Sequence, residues 1–181
     1  MNLPNKLTLT RIILVPVFMV FVSLTQIGTE DFNPTWYLVA GIIFAAASFT
    51  DFLDGHLARK WNMVTDFGKF MDPLADKCLV VAAMLWFVEI GQMPGWALLV
   101  VIIREFSVSG LRMVAADKGR VIAAGWSGKV KTASTMVCIC LMLFGIPHWL
   151  NLVCQGVILV TTVYSGVEYF AKNWDVFQEK K

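Results

Sequence analysis

Four aspartates stand out in the first half of the chain. The stretch reads Asp51-Phe-Leu-Asp54-Gly55-His-Leu-Ala58-Arg59 and, eight residues later, Gly68-Lys-Phe-Met-Asp72-Pro-Leu-Ala-Asp76. Asp51 and Asp54 are spaced i,i+3, and Asp72 and Asp76 i,i+4. Either spacing puts a pair on one face of a helix. One Asp at a bilayer centre costs about 2.5–3.5 kcal/mol on insertion scales, and less near the interface. Carboxylates crowded together add repulsion. Divalent cations are the simplest compensation, and all-oxygen ligands favour hard ions such as Mg²⁺ or Mn²⁺ over zinc. Four aspartates can hold two such ions about 3.5–4 Å apart, an arrangement suited to displacement at phosphorus. Taken singly, Asp51 or Asp76 reads as readily as a solvated helix end. Two matched pairs do not.

The neighbours suit such a site. Gly55 removes a side chain where a ligand could approach, or where another helix could pack. Arg59 lies one turn further along the Asp face. It can hold a phosphate bidentately, or snorkel to an interface. Pro73 is expected in the first turn of its helix, where proline is tolerated. His56 reads as a spectator, and the role of Lys77 stays open.

Positioning these residues requires helices, and the hydropathy predicts six membrane spans. They cover residues 7–25, 36–52, 72–88, 96–115, 130–144 and 149–170. A hydrocarbon core about 30 Å thick needs about 20 apolar residues as a helix. None of the 15 Lys and Arg residues falls in segments 26–35, 89–95 or 145–148, which carry Glu30, Asp31 and Glu89 instead. Lys and Arg favour the cytoplasmic side. Six spans with both termini cytoplasmic satisfy that rule at every loop. Asn33-Pro34, Pro94-Gly95 and Gly145-Ile-Pro147 punctuate the outer turns, and Trp36, Trp96 and Trp149 follow them as interface anchors or packing residues. The expected fold is an all-α, six-transmembrane-helix bundle forming one domain over residues 1–181.

Composition agrees. The chain has 181 residues, 57% hydrophobic and 15% charged, with a mean hydropathy of +0.68. Soluble domains carry about 45–50% apolar and about 25% charged residues. A disordered chain, a collagen-like chain and an ordinary soluble enzyme are excluded. The net charge of +2 gives no support to nucleic-acid binding. The first span lacks a small-x-small cleavage site, so it is not read as a cleaved signal. Cys78, Cys138, Cys140 and Cys154 lie in apolar runs and read as small hydrophobes.

The aspartate stretch resembles the signature of the CDP-alcohol phosphatidyltransferase family. Asp51, Asp54, Gly55, Ala58, Arg59, Gly68, Asp72 and Asp76 fill every fixed position of Asp-x2-Asp-Gly-x2-Ala-Arg-x8-Gly-x3-Asp-x3-Asp. The resemblance implies a reaction in which an alcohol attacks the lipid-linked phosphate of a CDP-lipid and CMP leaves. It implies that Asp51, Asp54 and Asp72 ligate metal and that Asp76 is ligand and general base. It places Gly55, Arg59 and Gly68 at the CDP moiety of the lipid, with Asn5 and Thr8 hydrogen-bonding the cytidine or its phosphates. The cofactors would be two divalent cations, Mg²⁺ or Mn²⁺. A homodimer is also implied.

Segments 3–11, 103–106 and 128–132 narrow the resemblance to the bacterial branch that uses glycerol 3-phosphate. The remaining cations fit an anionic acceptor. Arg104 and Arg112 are eight residues apart and share a face, and Lys129 and Lys131 begin the fifth span. Choline or ethanolamine would want acids or an aromatic cage. Serine and inositol are less clearly excluded. Positive-inside topology and attraction to anionic headgroups would also place such residues here, and Glu105 could form a structural pair with Arg104. The expected substrates are CDP-diacylglycerol and glycerol 3-phosphate. The expected setting is the bacterial inner membrane, multi-pass, in contact with membrane lipid and with the site facing the cytoplasm. Synthases using serine, inositol phosphate or phosphatidylglycerol share the motif. A divalent-cation transporter would use the same carboxylates but has no need of Arg59.

Overall fold

The computed structural model describes residues 3–25, 33–60, 66–120, 122–123 and 125–177, with side chains described for 9–10, 12–25, 33, 35–50, 77–120, 122–123 and 125–176. Six α-helices follow in order: α1 Leu3–Leu24, α2 Pro34–Lys60, α3 Asp66–Glu89, α4 Gly95–Asp117, α5 Trp126–Leu143 and α6 His148–Lys172. A short 3₁₀ helix, Trp174–Phe177, follows α6. There is no strand among the described residues.

Each predicted span falls on one helix, but the helices run further. α2 continues eight residues past 52, and α3 starts six residues before 72. Hydropathy registers only the apolar part of a helix, whereas the hydrogen-bond ladder continues into polar sequence. Pro73 is therefore the eighth residue of α3, not a first-turn residue. There it cannot donate the N–H that the carbonyl of Lys69 would accept. Pro16 is likewise internal to α1. Membrane helices tolerate such prolines better than soluble ones do.

The turn residues act as the sequence indicates. Pro34 is the first residue of α2, and Pro94 and Pro147 are the N-caps of α4 and α6. Gly91 and Gly119 have φ of 70° and 72°, and they close α3 and α4. After α3, Gln92 N–H donates to the Phe87 carbonyl and Gly91 N–H to the Val88 carbonyl. This reciprocal pair satisfies the last helical carbonyls.

The chain divides into two compact units. The first comprises Met1–Gln92 with Ile139–Ile146. Within it α1 packs against both α2 and α3, which also meet each other. Phe18, Phe44, Leu79, Met84 and Phe87 are fully buried, with the Phe18 and Phe44 rings 5.9 Å apart. A Cβ on Gly41 would lie 3.4 Å from the Leu143 carbonyl oxygen. This small residue lets α2 approach the end of α5 closely. The Tyr37 hydroxyl donates to the neighbouring Met142 carbonyl at 2.9 Å.

The second unit comprises Met93–Cys138 and Pro147–Lys181. Here α4 packs along α6, and the 3₁₀ helix closes on both. The inward face of α6 carries Asn151, Gln155, Thr162, Ser165 and Tyr169, all buried, while Val160, Tyr164 and Val167 are about two-thirds exposed. A helix in a soluble protein shows the reverse. Polar residues inside and apolar residues outside suit a helix solvated by lipid. α6 is also long and apolar enough to cross a membrane, and it is the one such helix among the described residues. Leu99, Ile103, Phe106 and Met113 extend the apolar exterior along α4. Exposed apolar surface on this scale marks a membrane-associated protein. Trp36, Trp96 and Trp149 are exposed in the first turns of α2, α4 and α6.

Candidate active site

The four aspartates sit on consecutive helices joined through residues 61–65. Asp54 and Asp51 lie six and nine residues before the end of α2. At 1.5 Å per residue these are depths of about 9 and about 14 Å. Asp72 and Asp76 lie six and ten residues after the start of α3, at about 9 and about 15 Å. Both pairs thus stand at matched depth from the shared connection, on two helices that touch. The side chains of Asn5, Thr8, Asp51, Asp54, Arg59, Asp72 and Asp76, and the surroundings of Gly55 and Gly68, lie outside the described residues.

The donor chemistry fits a hard divalent cation. All four positions offer carboxylate oxygen and none offers thiolate or imidazole. Among the described residues no three His, Cys, Asp or Glu side chains gather to hold a metal. The described part of the chain therefore holds no competing centre.

The basic residues lie in the second unit, and the structure sorts them. Glu105 Oε1 accepts from Arg104 Nη1 at 2.9 Å and from Lys131 Nζ at 2.6 Å. The three side chains are only 11%, 16% and 6% exposed, in the order Arg104, Glu105, Lys131. α4 and α5 thus bring two of the predicted cations onto one carboxylate. One glycine, Gly166, makes room for Arg104, while a Cβ on Gly128 would make only ordinary contact. A Cβ on Gly166 of α6 would lie 3.2 Å from Arg104 Cγ, and one on Gly128 of α5 would lie 3.8 Å from Arg104 Nη2.

Arg112 goes elsewhere. Its Nε donates to the Tyr169 hydroxyl at 2.9 Å, and its guanidinium carbon lies 5.2 Å from the ring centroid. The Tyr169 hydroxyl in turn donates to the Ala123 carbonyl at 2.9 Å. Lys129 is exposed. Arg104 and Arg112 do share the face of α4 that meets α6, but they serve separate networks. A pocket of about 270 Å³ borders Tyr169 and is lined also by Arg120, Ile122, Glu168 and Lys172. Arg120 pairs with Asp175, and Lys172 with Glu168.

Sequence reasoning missed Tyr169 and Gly166, and it named Glu105 only as a partner of Arg104. The bond from Glu105 to Lys131 spans 26 residues. No local spacing signals it. The only cue was an acid standing beside an arginine inside the fourth predicted span.

Comparison with known proteins agrees with the motif. Residues 1–167 match the CDP-alcohol phosphatidyltransferase family. The chain is 43% identical to a Bacillus subtilis (strain 168) protein named CDP-diacylglycerol–glycerol-3-phosphate 3-phosphatidyltransferase, over 98% of this chain and 97% of that one. It is 38% identical to a Shigella flexneri (serotype 5b) protein of the same name, over 94% and 93%. It is also 38% identical to a Mycobacterium tuberculosis protein named probable phosphatidylglycerophosphate synthase, over 94% and 81%. The chain belongs to the CDP-alcohol phosphatidyltransferase family. It is a helical, membrane-associated transferase.

Proposed function

We propose that this enzyme transfers the phosphatidyl group of CDP-diacylglycerol to sn-glycerol 3-phosphate, giving phosphatidylglycerophosphate and CMP. The matched aspartate pairs on α2 and α3 are the observation that carries the reaction type. The names of relatives aligned over nearly the whole chain support the two substrates. Asp51, Asp54, Asp72 and Asp76 would hold two divalent cations, Mg²⁺ or Mn²⁺. When bound, these neutralise the diphosphate and the oxygen that leaves on CMP.

The chain's own groups do the rest. Arg59, with the space at Gly55 and Gly68, receives the CDP moiety, and Asn5 and Thr8 at the start of α1 hydrogen-bond it. The hydroxyl oxygen of glycerol 3-phosphate forms the new bond to the phosphorus attached to diacylglycerol. The bond from that phosphorus to the CMP oxygen breaks, and the electron pair leaves with CMP. Asp76 accepts the hydroxyl proton. As a carboxylate it is a weak base, so proximity supplies much of the rate. Arg104 and Lys131 bind the acceptor phosphate, with Arg112 and Lys129 adding positive potential.

In this reading all six helices cross the bacterial inner membrane. Both termini and the site face the cytoplasm, where glycerol 3-phosphate and CMP have access. The diacylglycerol chains enter sideways from the lipid, and the enzyme works as a homodimer. The test is an acceptor screen with labelled CDP-diacylglycerol, Mg²⁺ or Mn²⁺, and glycerol 3-phosphate, serine, inositol phosphate or phosphatidylglycerol. CMP release with glycerol 3-phosphate alone is expected. Turnover with serine and none with glycerol 3-phosphate would replace the acceptor. Metal flux across liposomes without CMP release would replace the reaction.

A further inference from the structure

We propose that Glu105 is a positioning residue that holds the Arg104 guanidinium and the Lys131 ammonium as one preset cation pair for the phosphate of a phosphorylated alcohol. The proposal rests on the acceptor reading above and adds the residue that makes two cations into one binding element.

The charge argument comes first. Arg104 and Lys131 are both largely buried. Two cations side by side in a low-dielectric setting repel each other and lose hydration. Glu105 bonds both, which offsets one charge and leaves one net positive charge among the three. A bound phosphate would meet that remainder. A neutral or zwitterionic alcohol would leave it unmet, so the cluster favours phosphorylated acceptors.

Geometry adds a second argument. Glu105 takes Nη1 of Arg104, while the buried Nε has no acceptor among the described residues. Buried donors in native proteins are rarely left unpaired. A phosphate oxygen is among the partners a guanidinium donor binds most strongly. Gly166 leaves room for the arginine stem, since a Cβ there would press on Arg104 Cγ at 3.2 Å. The carboxylate holds the guanidinium at Nη1, and the glycine leaves the space its stem occupies.

The test is two-substrate kinetics on the full-length enzyme in detergent, with melting temperature recorded for each variant. Removing a charged hydrogen-bond partner is worth about tenfold or more in binding. Glu105→Gln is therefore expected to raise KM for glycerol 3-phosphate at least about tenfold and to change KM for CDP-diacylglycerol less than about threefold. Glu105→Asp, which keeps the carboxylate, should recover part of the loss. Gly166→Ala keeps every charge and favours the helix, so it should hold the melting temperature while raising acceptor KM severalfold. It decides the matter if Glu105→Gln fails to fold. Should wild type turn over glycerol 3-phosphate and both variants leave its KM unchanged, the positioning role is wrong and the acceptor reading stands. If both KM values rise together with a loss of melting temperature in Gly166→Ala, Glu105 and Gly166 only hold helices together. Should wild type itself ignore glycerol 3-phosphate, the acceptor reading fails and this inference with it.

Discussion

Between Asp51 and Asp76 the chain carries five aspartates against Arg59, Lys60 and Lys69. In the unit built on α4 and α6, three of the four described acids, all but Asp117, take a cation. Glu105 takes Arg104 and Lys131, Asp175 takes Arg120, and Glu168 takes Lys172. The first region holds a surplus of one sign, which proximity makes costly unless charge arrives from outside. The second settles most of its charge within the fold and keeps a small positive remainder. A surplus of acid suits a bound cation, and a compensated cluster suits selecting a substrate. The two regions should therefore respond differently to the same kind of damage.

The largest expected effect lies in the first region. Asp72→Asn removes one negative charge and little volume. It should cut CMP release by about 10³-fold or more, the scale on which phosphoryl transfer depends on its charged groups. The variant should still insert into membranes and elute as wild type does. Normal turnover would refute the ligand assignment. Next comes removal of metal. Dialysis against a chelator should abolish turnover, and Mg²⁺ or Mn²⁺ should restore it. Because the ion pairs of the second unit are internal, a trypsin digest of that unit should be unchanged by the chelator. Activity that survives chelation would erase the contrast between the regions.

That contrast also explains how much the sequence revealed. Asp51, Asp54, Asp72 and Asp76 are close in sequence, and helical periodicity alone pairs them on faces. Turn residues such as Pro34, Pro94, Gly145 and Pro147 located the helix starts and ends for the same local reason. Pro73 was misplaced because apolar content does not mark where a hydrogen-bonded ladder begins. The basic cluster was only half legible. Arg104, Arg112, Lys129 and Lys131 could be gathered by side, yet which cation meets which acid depends on packing between helices distant in sequence. Tyr169, bonded to Arg112 at 57 residues' separation, left no local trace.

Tyr169→Phe tests a neutral link in the second region. The change keeps the ring and removes the hydroxyl that accepts from Arg112 and donates to the Ala123 carbonyl. The loss should be about 1–2 kcal/mol of stability, read as a lower melting temperature in detergent, with KM for CDP-diacylglycerol unchanged. A larger fall in activity than in stability would mean that Arg112 works on the acceptor from this position.

The smallest effect is expected at Arg120. Its ion pair with Asp175 ties the end of α4 to the 3₁₀ helix, but both side chains are about half exposed. Exposed pairs of this kind are worth about 0–1 kcal/mol, because water and salt already solvate the partners. Lys118 makes the same connection from a part-buried position, donating to the Val176 carbonyl at 2.6 Å. Val176 itself is buried against Val108, Leu111, Ala115 and Tyr169. Arg120→Ala should therefore leave both KM values and the melting temperature near wild type, and raising the salt should not widen the difference. A marked loss would show that the link to the 3₁₀ helix depends on this exposed charge and not on the buried contacts beneath it.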